Sequence, residues 1–210
     1  TALAAARPLD LNTLVFATRG ACPPIPGLLE DRDPVCGERL ATALQYAHGD
    51  DVDAVVLGGC WSCYFDIGEA ATTPQASAPP PPDRYYFLES NGERHYLRGG
   101  DGVQKSLDAL GRLIADLRKA GKKVYLLLNI PVGPDFEPRS RLTGERWGAM
   151  SAASVSTRTP IPASQMALHE RLRRVGTEAG AQILDPVPTL CLSDGQCLRA
   201  GAQGAPVYKD

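Results

Sequence analysis

The stretch VQKSLDALGRLIADLRKAGKKVYLLLNI, residues 103–130, decides the fold class of this 210-residue chain. Its first part predicts an amphipathic helix over residues 103–120, which stops at Gly121. The apolar stripe of that helix consists of Leu107, Leu110, Leu113, Ile114 and Leu117. The apolar run that follows predicts a strand over residues 123–130. A helix that leads into such a strand is the repeating unit of α/β proteins.

The same alternation extends along the rest of the chain. Further strands are predicted at residues 11–18, 53–57 and 182–184, and further helices at residues 33–48 and 164–179. The continuous Ala-Val-Val-Leu run of the second strand indicates burial on both faces of the sheet. The sequence therefore predicts a single three-layer α/β/α domain over residues 1–210, with a mostly parallel, flavodoxin-like sheet.

Residues 71–100 interrupt this alternation and are interpreted as an insertion. Residues 71–82 are rich in Pro, Ala, Ser and Thr, which predicts an extended surface loop. Two strand-like runs then flank Asn91-Gly92, a sequence typical of a β-hairpin with a type I′ turn.

Composition restricts the function classes. The formal net charge is −2, whereas nucleic-acid binding requires clustered Lys and Arg. No apolar run approaches the roughly 20 residues that span a bilayer. The N-terminus has no signal-peptide pattern. Nothing in the sequence calls for a cofactor or a metal ion.

A series of motifs carries a family resemblance. They are a Cys-Pro-Pro loop with a later Cys, a strand-end Gly-Gly block, a late strand with a Pro-rich loop, and a Cys-to-Cys loop before Tyr-x-Asp. They read GACPP (20–24) with Cys36, VVLGGCWSCYF (55–65), KVYLLLNIP (123–131) with DFEP (135–138), and DPV (185–187) followed by Cys191, Cys197 and PVYKD (206–210). In this order they resemble the SGNH-type, GDSL-like domains fused to acyltransferase-3 membrane proteins. The resemblance covers most of the chain and implies the SGNH hydrolase fold.

The resemblance implies a catalytic role for Asp210. In this family the final motif is Tyr-x-Asp-x-x-His, where Asp orients the His that acts as general base. Here the printed sequence ends at the Asp, and the family's Gly-Asp-Ser, which carries the nucleophile, does not occur. We therefore expect a domain trimmed at both ends and inactive alone. The alternative is that Asp210 is an ordinary solvated residue.

The candidate cleft follows from topology as well as from the family. Carboxyl ends of parallel strands form the ligand crevice of an α/β sheet, and Gly20, the Gly58–Cys63 block, residues 131–138 and Asp210 all follow predicted strands. The resemblance implies that Gly20 supplies an oxyanion-hole N–H, and a plain turn glycine is the alternative. In many SGNH enzymes the corresponding block supplies an Asn side chain as a second oxyanion donor. The Gly58-Gly59 block has no Asn, so a backbone N–H near Gly59 would take that role. Trp61 is assigned to the same cleft.

The chain contains six cysteines. An even count and short intervening loops favour the disulfides Cys22–Cys36 and Cys191–Cys197, and with them an oxidising compartment. The remaining pair, Cys60 and Cys63, forms a C-x-x-C sequence. A local disulfide or buried thiols are expected there, with redox chemistry and a metal site as the weaker alternatives.

Histidine and aromatic residues are interpreted structurally. His48, His95 and His169 have no ligand-pair spacing and are expected at the surface or as caps. The aromatic residues of the hairpin either pack across the strands or line a sugar-binding wall. They are Tyr85, Tyr86, Phe87 and Tyr96.

The resemblance implies a function for the intact protein. A membrane-embedded acyltransferase-3 domain would supply an acyl group, often acetyl, and the periplasmic SGNH domain would transfer it to a hydroxyl of a surface polysaccharide. Ester hydrolysis is the related activity. Two alternatives stay open: a non-catalytic carbohydrate-binding scaffold of the same fold, and a disulfide oxidoreductase that uses Cys60 and Cys63. The sequence leaves open the acyl group, the glycan and the oligomeric state.

Overall fold

The structure is a computed structural model that describes residues 13–33, 35–65, 84–97, 100–136, 142–143, 151–152 and 157–199. The helices in this part of the chain are α1 (Cys36–Ala47), α2 (Trp61–Phe65), α3 (Gly102–Lys119), α4 (Ala163–Glu178) and α5 (Val187–Leu190). The strands are β1 (Leu28–Glu30), β2 (Ala54–Gly58), β3 (Tyr85–Leu88), β4 (Arg94–Tyr96), β5 (Lys123–Leu127), β6 (Leu142–Thr143), β7 (Ser151–Ala152), β8 (Arg158–Pro160), β9 (Gln182–Leu184) and β10 (Gln196–Leu198).

A parallel sheet in the order β2-β5-β9 organises the fold. Leu57 of β2 lies beside Leu126 of β5, and Leu126 lies beside Ile183 of β9. The helices that connect these strands return the chain to the same end of the sheet, as parallel pairing requires. The predicted α/β class with a parallel sheet is confirmed.

One face of this sheet carries the main core. Val124 and Leu126 of β5 are buried beneath α3 and α4. A Cβ built on Gly176 of α4 would lie 2.8 Å from side-chain atoms of both Leu126 and Ile183, so only glycine allows α4 to approach this closely. The predicted apolar stripe of α3 faces this core, and Gly121, with φ +81°, ends the helix as expected.

The opposite face of the sheet is open. Val56 is 58% exposed, and Leu127 and Leu184 are each 40% exposed. The prediction that β2 is buried on both faces is therefore wrong for the structure described here, and the helices described pack on one face. A continuous apolar run shows that a strand can be buried on both faces, but burial also requires an element to cover the second face.

The strand predicted at residues 11–18 is also not found in its described part. Residues 13–18 have no strand pairing, and Phe16 is 65% exposed. An apolar, β-branched run becomes a strand only when a neighbour completes its hydrogen-bond ladder. No described strand does so for this segment.

The hairpin belongs to a second, antiparallel sheet in the order β1-β3-β4. Tyr86 pairs with Tyr96 across the strands, and their ring centroids are 6.3 Å apart, so these rings pack against each other. The predicted type I′ turn is wrong. Gly92 has φ +88°, but Asn91 does not have the positive φ that a type I′ turn requires, and the Gly92 N–H donates to the Glu89 carbonyl. The Pro-rich residues 71–82 lie outside the described residues.

Candidate active site

The carboxyl ends of β2 and β5 lie side by side. Gly58, the last residue of β2, is directly opposite Leu127, the last residue of β5. The turn 58–60 and the loop 128–132 therefore leave the sheet at the same edge, the carboxyl edge, where the parallel strands end. In sheets of this type, that edge is where ligands bind.

Trp61 supports this edge from beneath. Its indole N–H donates to the Leu127 carbonyl at 2.7 Å, and its ring is fully buried. Trp61 was expected in the substrate cleft. In the structure its ring presents no surface to a ligand and instead fixes the end of β5 to α2.

The Cys60–Cys63 pair closes the first turn of α2. The two residues form a disulfide, and the N–H groups of Cys63 and Tyr64 donate to the Cys60 carbonyl at 2.8 and 3.1 Å. The local disulfide, one of the readings left open, is the one observed. Disulfides also join the predicted partners Cys22 and Cys36, and Cys191 and Cys197. The structure has no free cysteine among its described residues.

The two glycines of the Gly58-Gly59 turn have different surroundings. A Cβ on Gly58 would meet Leu127 at 3.4 Å, which is close to ordinary contact. A Cβ on Gly59 would lie 2.8 Å from the ring of Tyr64, so a side chain there would displace the ring. Gly59 is therefore required for this turn to rest against Tyr64.

The Gly20 loop is attached at several points. Arg19 pairs with Asp33 at 2.6 Å, and the Cys22–Cys36 disulfide joins the loop to the start of α1. The hydrogen bond from Arg19 lowers the pKa of Asp33 below its ordinary value. The Tyr64 hydroxyl, 3.4 Å from the Cys22 carbonyl, donates to it. The structure thus brings the Gly20 loop close to the Gly58-Gly59 turn through Tyr64.

Gln165, which the sequence analysis did not single out, fixes the loop after β5. Its side-chain amide donates to the Ile130 carbonyl at 2.8 Å and accepts from the Val132 N–H at 3.0 Å. The same amide nitrogen lies 3.3 Å from Nε2 of His169. Gln165 and His169 lie on the stripe that includes the buried Leu168 and Leu172, and that spacing could have predicted their burial.

His169 was expected at the surface or as a cap, but in the structure it is buried. Because the Gln165 amide nitrogen can only donate, Nε2 of His169 accepts, and the ring is neutral with its proton on Nδ1. Burial lowers the pKa of His169; the nearby Asp185 opposes this effect and Arg173 adds to it.

The lowered pKa of His169 predicts a pH-dependent stability. The unfolded chain takes up a proton on this ring below about pH 6.5, whereas the folded chain resists it until lower pH. Stability should therefore fall on acidification through that window. We expect His169→Gln to flatten the slope of the melting temperature between pH 7.5 and 5.5, measured by circular dichroism. His48→Gln is the control, and an equal slope in wild type and His169→Gln would contradict the prediction.

The other two histidines lie away from this edge. Nδ1 of His48 lies 2.7 Å from the Leu44 carbonyl at the end of α1, as expected for a capping residue. His95 lies on the hairpin, where its Nδ1 is 2.8 Å from Asp101. Lys105 pairs with Glu89 in the same group at 2.5 Å, and this contact lowers the pKa of Glu89. These charges connect the hairpin to the start of α3.

Asp210 lies outside the described residues, as does the rest of the 206–210 motif. The last described strand before it in the sequence is β10, which pairs with β8 and contains Cys197 of the Cys191–Cys197 disulfide. The structure therefore connects the Cys22 carbonyl of the Gly20 loop and the Gly59 turn through Tyr64. The oxyanion role of Gly20 and Gly59 and the role of Asp210 are proposals.

These features define an α/β domain with the Gly58-Gly59 turn at the carboxyl edge of a parallel sheet and the Gly20 loop connected to that turn through Tyr64. A family model described as "SGNH domain (fused to AT3 domains)" matches residues 2–210, and the chain belongs to this family. The resemblance and the SGNH fold are thereby confirmed. No curated protein and no solved structure matches the chain. None of the described helices combines the length and the apolar character needed to cross a membrane.

Proposed function

We propose that this domain performs SGNH-type acyl transfer to a hydroxyl of a cell-surface polysaccharide, or hydrolyses such an ester. It would do so within a longer protein that includes a membrane acyltransferase-3 domain. Membership of a family of SGNH domains fused to AT3 domains supports the acyltransferase or esterase class. Acetyl is the acyl group we propose, and polysaccharide the acceptor.

The open edge of β2 is the observation that carries the proposal. No described strand pairs with this edge, and the exposed apolar face of Val56 and Leu127 continues from it. Parallel sheets are normally buried on both faces. A further parallel strand on β2 would end beside Gly58 and Gly59. We propose that this strand carries the Gly-Asp-Ser nucleophile, since that sequence does not occur in the 210 residues.

The proposed reaction has two steps. The serine hydroxyl attacks the carbonyl carbon of the acyl donor while histidine takes its proton, and the carbonyl electron pair moves to the oxygen. Backbone N–H groups of the Gly20 loop and the Gly59 turn stabilise that oxyanion. The intermediate collapses, and the leaving group departs with the proton from histidine. A sugar hydroxyl then attacks the acyl-serine and gives its proton to histidine; as the second tetrahedral intermediate collapses, histidine returns a proton to the departing serine oxygen.

Asp210 would support the histidine in both steps. A carboxylate that accepts the imidazole Nδ1–H fixes the tautomer and stabilises the imidazolium. The periplasm is the compartment we propose, because the disulfides of the described chain favour an oxidising environment. The membrane domain would deliver the acyl group to the site.

Ester hydrolysis by the intact protein tests this proposal. We expect the intact protein to hydrolyse p-nitrophenyl acetate, and the Ser→Ala variant of its Gly-Asp-Ser to lose this activity. The 210-residue chain alone should match a heat-denatured control, because a chain without nucleophile and base loses most acyl-transfer catalysis. A folded intact protein that binds polysaccharide without any turnover would contradict the proposal and favour a scaffold.

A further inference from the structure

Tyr64 and Tyr85 hold consecutive carbonyls of the Gly20 loop. The Tyr85 hydroxyl donates to the Ala21 carbonyl at 3.2 Å, and the Tyr64 hydroxyl donates to the Cys22 carbonyl at 3.4 Å. Tyr64 comes from α2 and Tyr85 from β3, so the loop is connected to the helix that follows β2 and to the antiparallel sheet. Both side chains are buried, and burial is the main cause that raises the pKa of each phenol.

The rings of these tyrosines also contact each other and the parallel sheet. Tyr64 and Tyr85 pack edge to face, with centroids 5.5 Å apart, and Trp61 packs edge to face on Tyr64 at 6.2 Å. Trp61 is bonded to the Leu127 carbonyl at the end of β5. A continuous series of contacts therefore runs from the sheet edge to the Gly20 loop.

Tyr64 lies between the two glycine turns. The position of a Cβ on Gly59 would be 2.8 Å from Cε2 of Tyr64 and 3.0 Å from its hydroxyl oxygen. The same hydroxyl donates to the Cys22 carbonyl. The position of one phenol ring thus sets the spacing between the Gly20 loop and the Gly59 turn.

The conformation of the loop requires such support. Ala21 has φ +65°, a left-handed conformation that non-glycine residues adopt only where the surroundings enforce it. Because a peptide group is planar, a hydrogen bond to the Ala21 carbonyl also fixes the direction of the Cys22 N–H. The Cys22 N–H donates back to the Arg19 carbonyl at 3.4 Å. Among the described residues, none accepts a hydrogen bond from the N–H of Gly20, and Gly20 is exposed.

We infer that Tyr64 and Tyr85 are positioning residues for acyl transfer. They hold the Gly20 loop at the distance from the Gly59 turn at which backbone N–H groups of both can bind one oxyanion. This inference rests on the function proposed above. The hydroxyl groups touch neither substrate nor reacting atoms, and they act through the loop.

The inference predicts an effect on kcat with little effect on KM. An oxyanion forms only in the transition state, so a misplaced loop weakens transition-state binding and leaves substrate binding unchanged. In the intact protein we expect Tyr64→Phe and Tyr85→Phe each to lower kcat about tenfold, the order expected for a small misplacement of a catalytic loop. KM for p-nitrophenyl acetate should stay within about twofold.

Tyr86→Phe is the matched control. Tyr86 is the neighbour of Tyr85 on β3 and is buried to a similar extent, and its hydroxyl has no hydrogen-bond partner in the described chain. Its replacement should leave kcat and KM unchanged. Active-site titration with a fluorophosphonate normalises each rate to folded enzyme, so a loss of folding does not enter kcat.

A transition-state analogue separates positioning from simple stabilisation. The affinity for an alkyl boronic acid, which presents an oxyanion, should fall in parallel with kcat in both tyrosine variants. Unchanged kcat and unchanged boronate affinity would overturn the inference, even if the melting temperature fell. An equal loss in Tyr86→Phe would overturn it as well. An intact wild-type protein without any esterase activity would instead overturn the proposed function, and this inference with it.

Discussion

Replacing Asp210 by Asn in the intact protein is expected to lower kcat for ester hydrolysis by about 10³- to 10⁴-fold. An Asn side chain can donate to the imidazole, which allows the tautomer whose Nε2 carries a proton. That nitrogen then cannot accept the proton of the serine hydroxyl. Because the shape of the side chain barely changes, KM and the melting temperature should stay near the wild-type values.

Asp194→Asn is the control for this substitution. Asp194 lies in the exposed loop between Cys191 and Cys197, and its carboxylate accepts from the Gln196 N–H at 3.0 Å. An Asn oxygen can accept the same bond, so the rate should not change. Wild-type activity in Asp210→Asn, measured by initial rates across pH 6 to 9, would remove Asp210 from the catalytic mechanism.

Removing the Cys22–Cys36 disulfide is expected to give the largest loss of stability among the disulfides. Its partners are 14 residues apart, and a loop of this size predicts about 3 kcal/mol in the free energy of unfolding. The link also joins the Gly20 loop to α1. The double variant Cys22→Ala and Cys36→Ala, unfolded in urea and followed by circular dichroism, measures the effect.

The Cys60→Ala and Cys63→Ala double variant is the matched comparison. Its partners are 3 residues apart, so the same chain-entropy argument predicts only about 2 kcal/mol. A larger loss for this short loop than for Cys22–Cys36 would show that native-state contacts, rather than loop entropy, determine the contribution of each disulfide.

Helix α3 shows what the sequence predicts well. The prediction of residues 103–120 differs by one residue at each end from Gly102–Lys119. Several independent signals agree there: a strong apolar stripe, basic residues in the last turn, and a glycine that adopts positive φ just after it. Strand β9 was predicted with its observed bounds, because a short apolar segment follows Gly180 directly.

Strand β2 shows where a sequence pattern is insufficient. The Ala-Val-Val-Leu run located the strand within one residue, but not the exposure of Val56. The sequence of an apolar run does not show which element covers its second face. The unpaired residues 13–18 have the same explanation.

The type of the hairpin turn and the long-range hydrogen bonds were the other features that sequence patterns did not predict. Asn91-Gly92 is compatible with more than one turn type, and the φ of Asn91 decided between them. Gln165 and His169 are polar residues on an apolar stripe. The backbone partners of Gln165 come from a loop more than 30 residues away in sequence, and His169 contacts Gln165. The hydroxyl contacts of Tyr64 and Tyr85 likewise span 42 and 64 residues.

An experimental structure of the intact protein would place the nucleophile, Gly20, Gly59 and Asp210 relative to one another. We predict that a further parallel strand occupies the open edge of β2 and ends in the nucleophilic serine. Asp210 should lie at the same carboxyl edge as Gly20 and Gly59, with one histidine between its carboxylate and the serine hydroxyl. Asp210 at the opposite edge of the sheet from Gly20 would contradict the account, whatever activity the intact protein has.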